Sequence, residues 1–286
     1  MRLGGSVAAP FVTAEQWGKS IQKARYAATS CPVAHDAPDR TVAAVTAEAK
    51  RRGVLIAEVG VWRNTLSPDS KEREASLTFA KNQLAFADEI GANCCVNIVG
   101  ARGARWDGAY RDNYSEQAYS EIVRSIREII DAVRPARTFY TIEPMPWMVP
   151  DGPDEYLRLV RDVDRERFAV HMDFVNMINS AKRVLFAEEF IEECFGKLGP
   201  MVKSCHIKDV LLEEPLTLMI REVPPGKGRL NFSRVLRFID QYVSRDIPVL
   251  LEHIQTDSEY ARAYDHLATI AKQEGIAINA EGTPWN

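Results

Sequence analysis

Four side chains able to bind a cation or move a proton stand at the ends of apolar, β-branched runs. They are Glu143 in 138-TFYTIEP-144, Asp173 in 168-FAVHMDF-174, His206 in 202-VKSCHIKDV-210 and Glu252 in 247-IPVLLEH-253. They follow one another at steps of 30, 33 and 46 residues, each about one strand–helix repeat. If the strands lie side by side, the four side chains converge on one point. Three carboxylates and one imidazole suit a divalent cation, because buried carboxylates without one repel each other and some must take up protons. An oxygen-rich set with one nitrogen favours Mn²⁺, with Mg²⁺, Co²⁺, Fe²⁺ or Zn²⁺ as alternatives, whereas a thiolate-rich set would select zinc.

The elements that must position these residues alternate along the chain. Strands are expected at 54–62, 94–101, 138–144, 168–174, 202–210 and 247–253, with weaker ones at 3–9 and 26–33. Helical periodicity appears at 70–91, 115–133, 153–163, 187–199, 231–243 and 257–275. In the first, Leu77, Ala80, Leu84, Ala87 and Ile90 share a face; Ser70 can cap its start and Gly91 can end it. About eight such units in 286 residues fit one closed (β/α)8 TIM barrel of the α/β class, a single domain spanning 1–286. An open doubly wound sheet is disfavoured, because 3-LGGSVAAP-10 lacks the glycine fingerprint GxGxxG. The stretch 224-PPGKGRL-230 lacks the P-loop pattern and reads as a turn before a helix; the basic stretch 100–114 reads as a solvated loop, with a lid or oligomer contact as the alternative.

Composition narrows the partners. Lys plus Arg is 36 against 40 for Asp plus Glu, a net charge of -4, which argues against broad phosphate contact and hence nucleic-acid binding. The apolar runs are far shorter than the ~20 residues of a spanning helix, so no membrane partner is expected, and the N-terminus has no signal-peptide h-region. Five cysteines, Cys31, Cys94, Cys95, Cys194 and Cys205, with no CxxC pair, fit reduced thiols in a cytoplasm.

The segments 141-TIEPMPW-147, 168-FAVHMDFVN-176, 204-SCHIKDV-210, 225-PGKGRLNF-232 and 248-PVLLEHI-254 resemble the xylose isomerase-like barrel superfamily. More closely they resemble its sugar phosphate isomerase/epimerase group of ketose 3-epimerases, hydroxypyruvate isomerases and inosose dehydratases. The resemblance covers about residues 138–254; the first half matches mainly in layout, with 58-EVGVW-62 at the third strand. It implies that Glu143, Asp173, His206 and Glu252 are metal ligands, and that Glu143 and Glu252 are the catalytic acid/base pair. The chemistry agrees: isomerisation beside a carbonyl removes a carbon-bound proton, stabilises an enediolate and returns the proton. The implied substrate is a small carbohydrate (a ketose, polyol-ketone or sugar acid), and the group implies a homo-oligomer, dimer or tetramer.

Further substrate contacts are expected from Trp62, Trp147, His171, Asn176, Lys208 and Arg221. Trp62 and Trp147 follow strand ends and can stack on sugar C–H faces. His171 shares the inward parity of Asp173 one layer deeper, and can touch substrate, orient a ligand or be purely structural. Asn176 stands where ketose 3-epimerases carry a histidine. Lys208 shares the parity of His206, and Arg221 can reach over the mouth from the loop 211–228. The same residues would serve a lyase that loses a β-leaving group, inosose dehydratase-like or C-glycoside-cleaving. An endonuclease IV-like repair enzyme needs a three-zinc cluster that five histidines with one clear ligand slot do not supply. A non-catalytic sugar-binding barrel would be expected to lack a ligand, and none of the four is missing.

Overall fold

The structure is a computed structural model that describes residues 1–7 and 10–279. Eight parallel strands close into a barrel: β1 (Arg2–Gly5), β2 (Ala28–Ser30), β3 (Leu55–Gly60), β4 (Cys94–Asn97), β5 (Phe139–Ile142), β6 (Phe168–Asp173), β7 (Val202–Ile207) and β10 (Pro248–Leu251). Neighbours follow chain order, and β10 closes the ring by pairing with both β7 and β1. β1 and β2 approach closely: a Cβ on Gly4 would lie 1.7 Å from the Ala28 carbonyl oxygen, so only glycine fits. The weak strand expected over 3–9 spans only Arg2–Gly5, and positions 8 and 9 lie outside the described residues.

Helices surround the barrel: α1 (Ala14–Ala24), α2 (Asp39–Arg51), α3 (Ser70–Ile90), α4 (Glu116–Val133), α5 (Pro153–Val163), α6 (Ala181–Leu185), α7 (Ala187–Leu198), α8 (Phe232–Tyr242) and α9 (Asp257–Gln273). Their apolar stripes pack on the outward strand faces, as Ile122, Ile126, Ile129 and Ile130 of α4 show. The cap of α3 falls one residue earlier than expected: the Asp69 carboxylate, rather than Ser70, accepts from the amides of Lys71 and Glu72. Gly91 ends this helix at φ 70, as expected, and Pro153 opens α5. The described cysteines carry no disulfide; four are buried and Cys31 is partly so.

The sequence reading fails most clearly after β7. A single strand over 202–210 and a loop over 211–228 are instead β7, a break at Lys208, and an antiparallel hairpin of β8 (Asp209–Glu213) and β9 (Met219–Val223). The Asp209 carboxylate enforces the break. It accepts from the amides of Val210 (2.8 Å), Gly226 (3.1 Å), Gly228 (2.8 Å) and Leu230 (3.0 Å), tying the hairpin base to the 224–230 turn.

Candidate metal centre

Each barrel strand in question ends at the same, carboxyl-terminal mouth, so the terminal side chains meet there. Ligand atoms of Glu143, Asp173, His206 and Glu252 all lie within 4.8 Å of one another. His206 Nδ1 is 3.1 Å from Glu252, 3.6 Å from Glu143 and 3.9 Å from Asp173. Asp173 is fully buried, Glu143 and His206 nearly so, and Glu252 is the most accessible of the four.

The electrostatics follow from crowding. Burial, with repulsion from Glu143 and Glu252, pushes the Asp173 carboxyl up to about 6 against the pull of Lys208. Burial also penalises charge on Glu252 and His206. For Glu252, the cations of His206 and Lys208 outweigh it and hold the carboxyl well below the usual range. For His206, the carboxylates of Glu252, Glu58 and Glu143 outweigh it and hold the imidazole well above its ordinary value.

Glu58, which the sequence reading did not single out, is the residue behind His206. Its carboxylate lies 3.0 Å from His171 Nε2 and 3.3 Å from His206 Nε2, and accepts from the hydroxyls of Ser30 (2.9 Å) and Ser204 (3.3 Å). The carboxylate makes Nε2 the protonated nitrogen of His206 and turns Nδ1 toward the three acids. His206 Nδ1 is buried, makes no hydrogen bond and faces this cluster, while Asp173 Oδ2 beside it is paired with Lys208 Nζ at 2.8 Å. An imidazole nitrogen without a hydrogen bond, beside an oxygen-rich set, fits a divalent ion held by Glu143, Asp173, His206 and Glu252. Glu58, His171 and His206 form a second close group, in which the Glu58 carboxylate bonds both imidazoles through Nε2 and His171 Nδ1 is left without a hydrogen bond.

The remaining expected residues separate into two groups. Trp62, Trp147 and Asn176 line an open cavity of about 1260 Å³ above the cluster. Asn176 also donates to Glu143 (3.0 Å), while its amide donates to Asp173 (2.9 Å), so it braces two ligands. His171, Lys208 and Arg221 do not line that cavity. His171 is fully buried, its ring 4.2 Å from that of His206. Lys208 is buried in an ion-pair network, its Nζ 2.6 Å from Glu252, 2.8 Å from Asp173 and 3.1 Å from Glu222. Arg221 is half-exposed and bonded to Glu213 at 2.6 Å. Strand alternation explains this: its neighbours Ile220 and Glu222 face the cavity, so Arg221 faces away. The basic stretch 100–114 forms part of the cavity wall through Arg105, Trp106 and Asp107.

The profile of the xylose isomerase-like TIM barrel family matches residues 20–284. No curated protein matches the sequence. Among solved structures, the chain is similar to a xylose isomerase-like TIM barrel protein from Mycobacterium smegmatis in complex with magnesium (TM-score 0.71, 15% identity, covering 96% of this chain and 97% of that one). It is similar to D-psicose 3-epimerase with D-tagatose from Clostridium cellulolyticum H10 (TM-score 0.72, 13% identity, 97% and 100% covered). A third is 3-keto-D-glucoside 4-epimerase from E. coli (TM-score 0.69, 14% identity, 94% and 99% covered). With a family profile spanning nearly all of the chain and a closed eight-stranded barrel beneath it, the protein belongs to the xylose isomerase-like TIM barrel family.

Proposed function

We propose that the protein is a divalent-metal-dependent isomerase or epimerase of a small ketose, polyol-ketone or sugar acid, acting by proton transfer next to a carbonyl. The observation that carries this reading is the convergence of Glu143, Asp173, His206 and Glu252 on one point at the floor of an open cavity. In the barrel, β6 and β7 separate β5 from β10, so Glu143 and Glu252 approach that point from different sides. Two carboxylates so placed can serve the two faces of one carbon, one removing a proton and the other returning it. The bound ion would supply positive charge beside the enediolate oxygen. The Lys208 ammonium 2.6 Å from Glu252 favours its ionised form, which is free to accept a proton, and Asn176 donates to Glu143.

A DNA-repair reading is less well supported. Both metal-competent groups among the described residues share His206, whereas His35 bonds Gln83, His253 bonds Glu222 and His266 packs on Phe232. The test is deuterium incorporation: Mn²⁺-loaded protein in D₂O with ketoses, inososes, 3-keto-glycosides and hydroxypyruvate, followed by NMR. Solvent deuterium at a carbon-bound position, lost in Glu252→Gln and Glu143→Gln, is the expected result. A dehydrated or cleaved product instead of an epimer would assign lyase chemistry, and no exchange with any compound would overturn the proposal.

A further inference from the structure

The cavity above the metal centre is larger and more apolar than a free monosaccharide needs. Its volume of about 1260 Å³ exceeds the roughly 300–1,000 Å³ of pockets that engulf drug-sized ligands. Its chemistry is layered by topology. The acids and His206 come from strand ends, at the floor. The upper wall comes from the loops beyond: Trp62 after β3, Trp106 between β4 and α4, Met145 and Trp147 between β5 and α5, Ile178 after β6 and Ile220 on β9 give it an apolar side, while Arg105, Asp107, Asn179, Glu222 and His253 add polar groups. A sugar ring carries hydroxyls on all sides, and pressing those against the indole-bearing side leaves them unpaired at a cost.

The wall is built rather than incidental. Trp62 is held at φ 49, a left-handed conformation that a bulky residue rarely adopts, yet its side chain stays 36% exposed. Its indole lies over Gly60, where a Cβ would come within 2.0 Å of Trp62 Nε1, so the glycine provides the space. Trp147 is anchored by a bond from Nε1 to the Asp107 carbonyl (2.8 Å). The loop carrying Trp106 is braced by Asn113, which donates to the Gly108 and Trp147 carbonyls and accepts from the Arg102 amide. Strain and anchoring that present indoles to a cavity point to a flat apolar ligand.

We propose that this rim is an aglycone subsite, so that the substrate is a keto-glycoside, a glycoside with one ring carbon oxidised to a carbonyl, that carries an aromatic or other apolar group, its sugar on the floor and its aglycone among Trp62, Trp106 and Trp147. The inference rests on the proposed sugar site for the position of the ring, but its test uses binding alone. Phenyl and methyl glycosides of D-glucose, D-galactose and D-xylose, unoxidised analogues that bind without reacting, are titrated calorimetrically into the Mn²⁺-loaded protein. In at least one sugar series the phenyl glycoside binds about tenfold tighter than the methyl glycoside or better, the gain from burying one ring. That ratio falls to about twofold or less in Trp62→Ala and Trp106→Ala, and persists in Trp62→Phe, which keeps an aromatic face. Thermal melts and Mn²⁺ affinity of the variants confirm that fold and metal centre are intact. A ratio within twofold in every series, no binding of any glycoside, or a preference untouched by both alanine variants overturns the inference. Deuterium exchange on a free ketose combined with a phenyl-to-methyl ratio of one would refute the aglycone subsite and leave the isomerase reading standing. A tenfold ratio without exchange would do the reverse.

Discussion

Glu58→Gln isolates what the buried carboxylate behind His206 does. Glu58 receives four contacts between 2.9 and 3.3 Å, from two hydroxyls and two imidazoles. Alanine is the wrong probe, because it would orphan four buried donors at about 1–3 kcal/mol each and risk the fold. Glutamine keeps the volume and one acceptor oxygen but removes the charge, and places an amide donor against groups that are themselves donors. His206 is then no longer held with Nε2–H toward a carboxylate, so its Nδ1 loses basicity and orientation as a ligand. Partners of this kind are worth about 10–100-fold in metal affinity, or about 1.4–2.8 kcal/mol. The assay is Mn²⁺ binding, followed by the EPR signal of the free ion, with a thermal melt of the metal-free protein as the folding control. Ser204→Ala is the internal control, since it removes a donor to Glu58 at 3.3 Å without touching His206, and its affinity should stay within about threefold of the parent. Affinity of Glu58→Gln within twofold of the parent, with the fold intact, would refute the positioning argument.

Three further outcomes follow from the same geometry. Lys208→Met leaves Asp173 and Glu252 without their buried ammonium partner. It should destabilise the metal-free protein by about 3–5 kcal/mol, with saturating Mn²⁺ recovering part of the loss; a melting temperature equal to the parent's without metal would contradict this. Asp209→Ala removes the acceptor of four backbone amides, so hydrogen exchange at Gly226, Gly228 and Leu230 should accelerate at least tenfold while α3 and α4 stay protected; unchanged exchange would refute the anchoring role. The His253 imidazole titrates above its ordinary value because Glu222 bonds it at 3.0 Å, outweighing its partial burial. Its raised folded value means that this link between β9 and the end of β10 is fully present below the unfolded pKa of about 6.5 and is lost as pH rises through the folded value. NMR titration of His253 should show the elevated midpoint, returning toward 6.5 in Glu222→Gln.

The barrel and its four converging side chains were legible because their signals are local. Apolar runs, helical periods and terminal polar residues are all read within ten or twenty positions, and parallel order follows from alternation. Parity also placed Lys208 and His171 inward correctly. What they touch was not legible, since Lys208 meets acids contributed by β6, β9 and the end of β10 rather than the cavity. The hairpin was missed because 211–223 carries little apolar alternation of its own, and Asp209 holds its base through amides up to 21 residues away. Glu58 had one signal, a lone charge inside the apolar run 54-VLIAEVGVW-62, where a buried acid must be paired. The two imidazoles it bonds lie 113 and 148 residues away, at a distance no pattern in the chain encodes. By itself, then, the sequence determined which residues reach the mouth of the barrel. The tertiary structure alone decided which of them face the cavity and which brace the others, because burial and pairing arise from strands that meet only on folding.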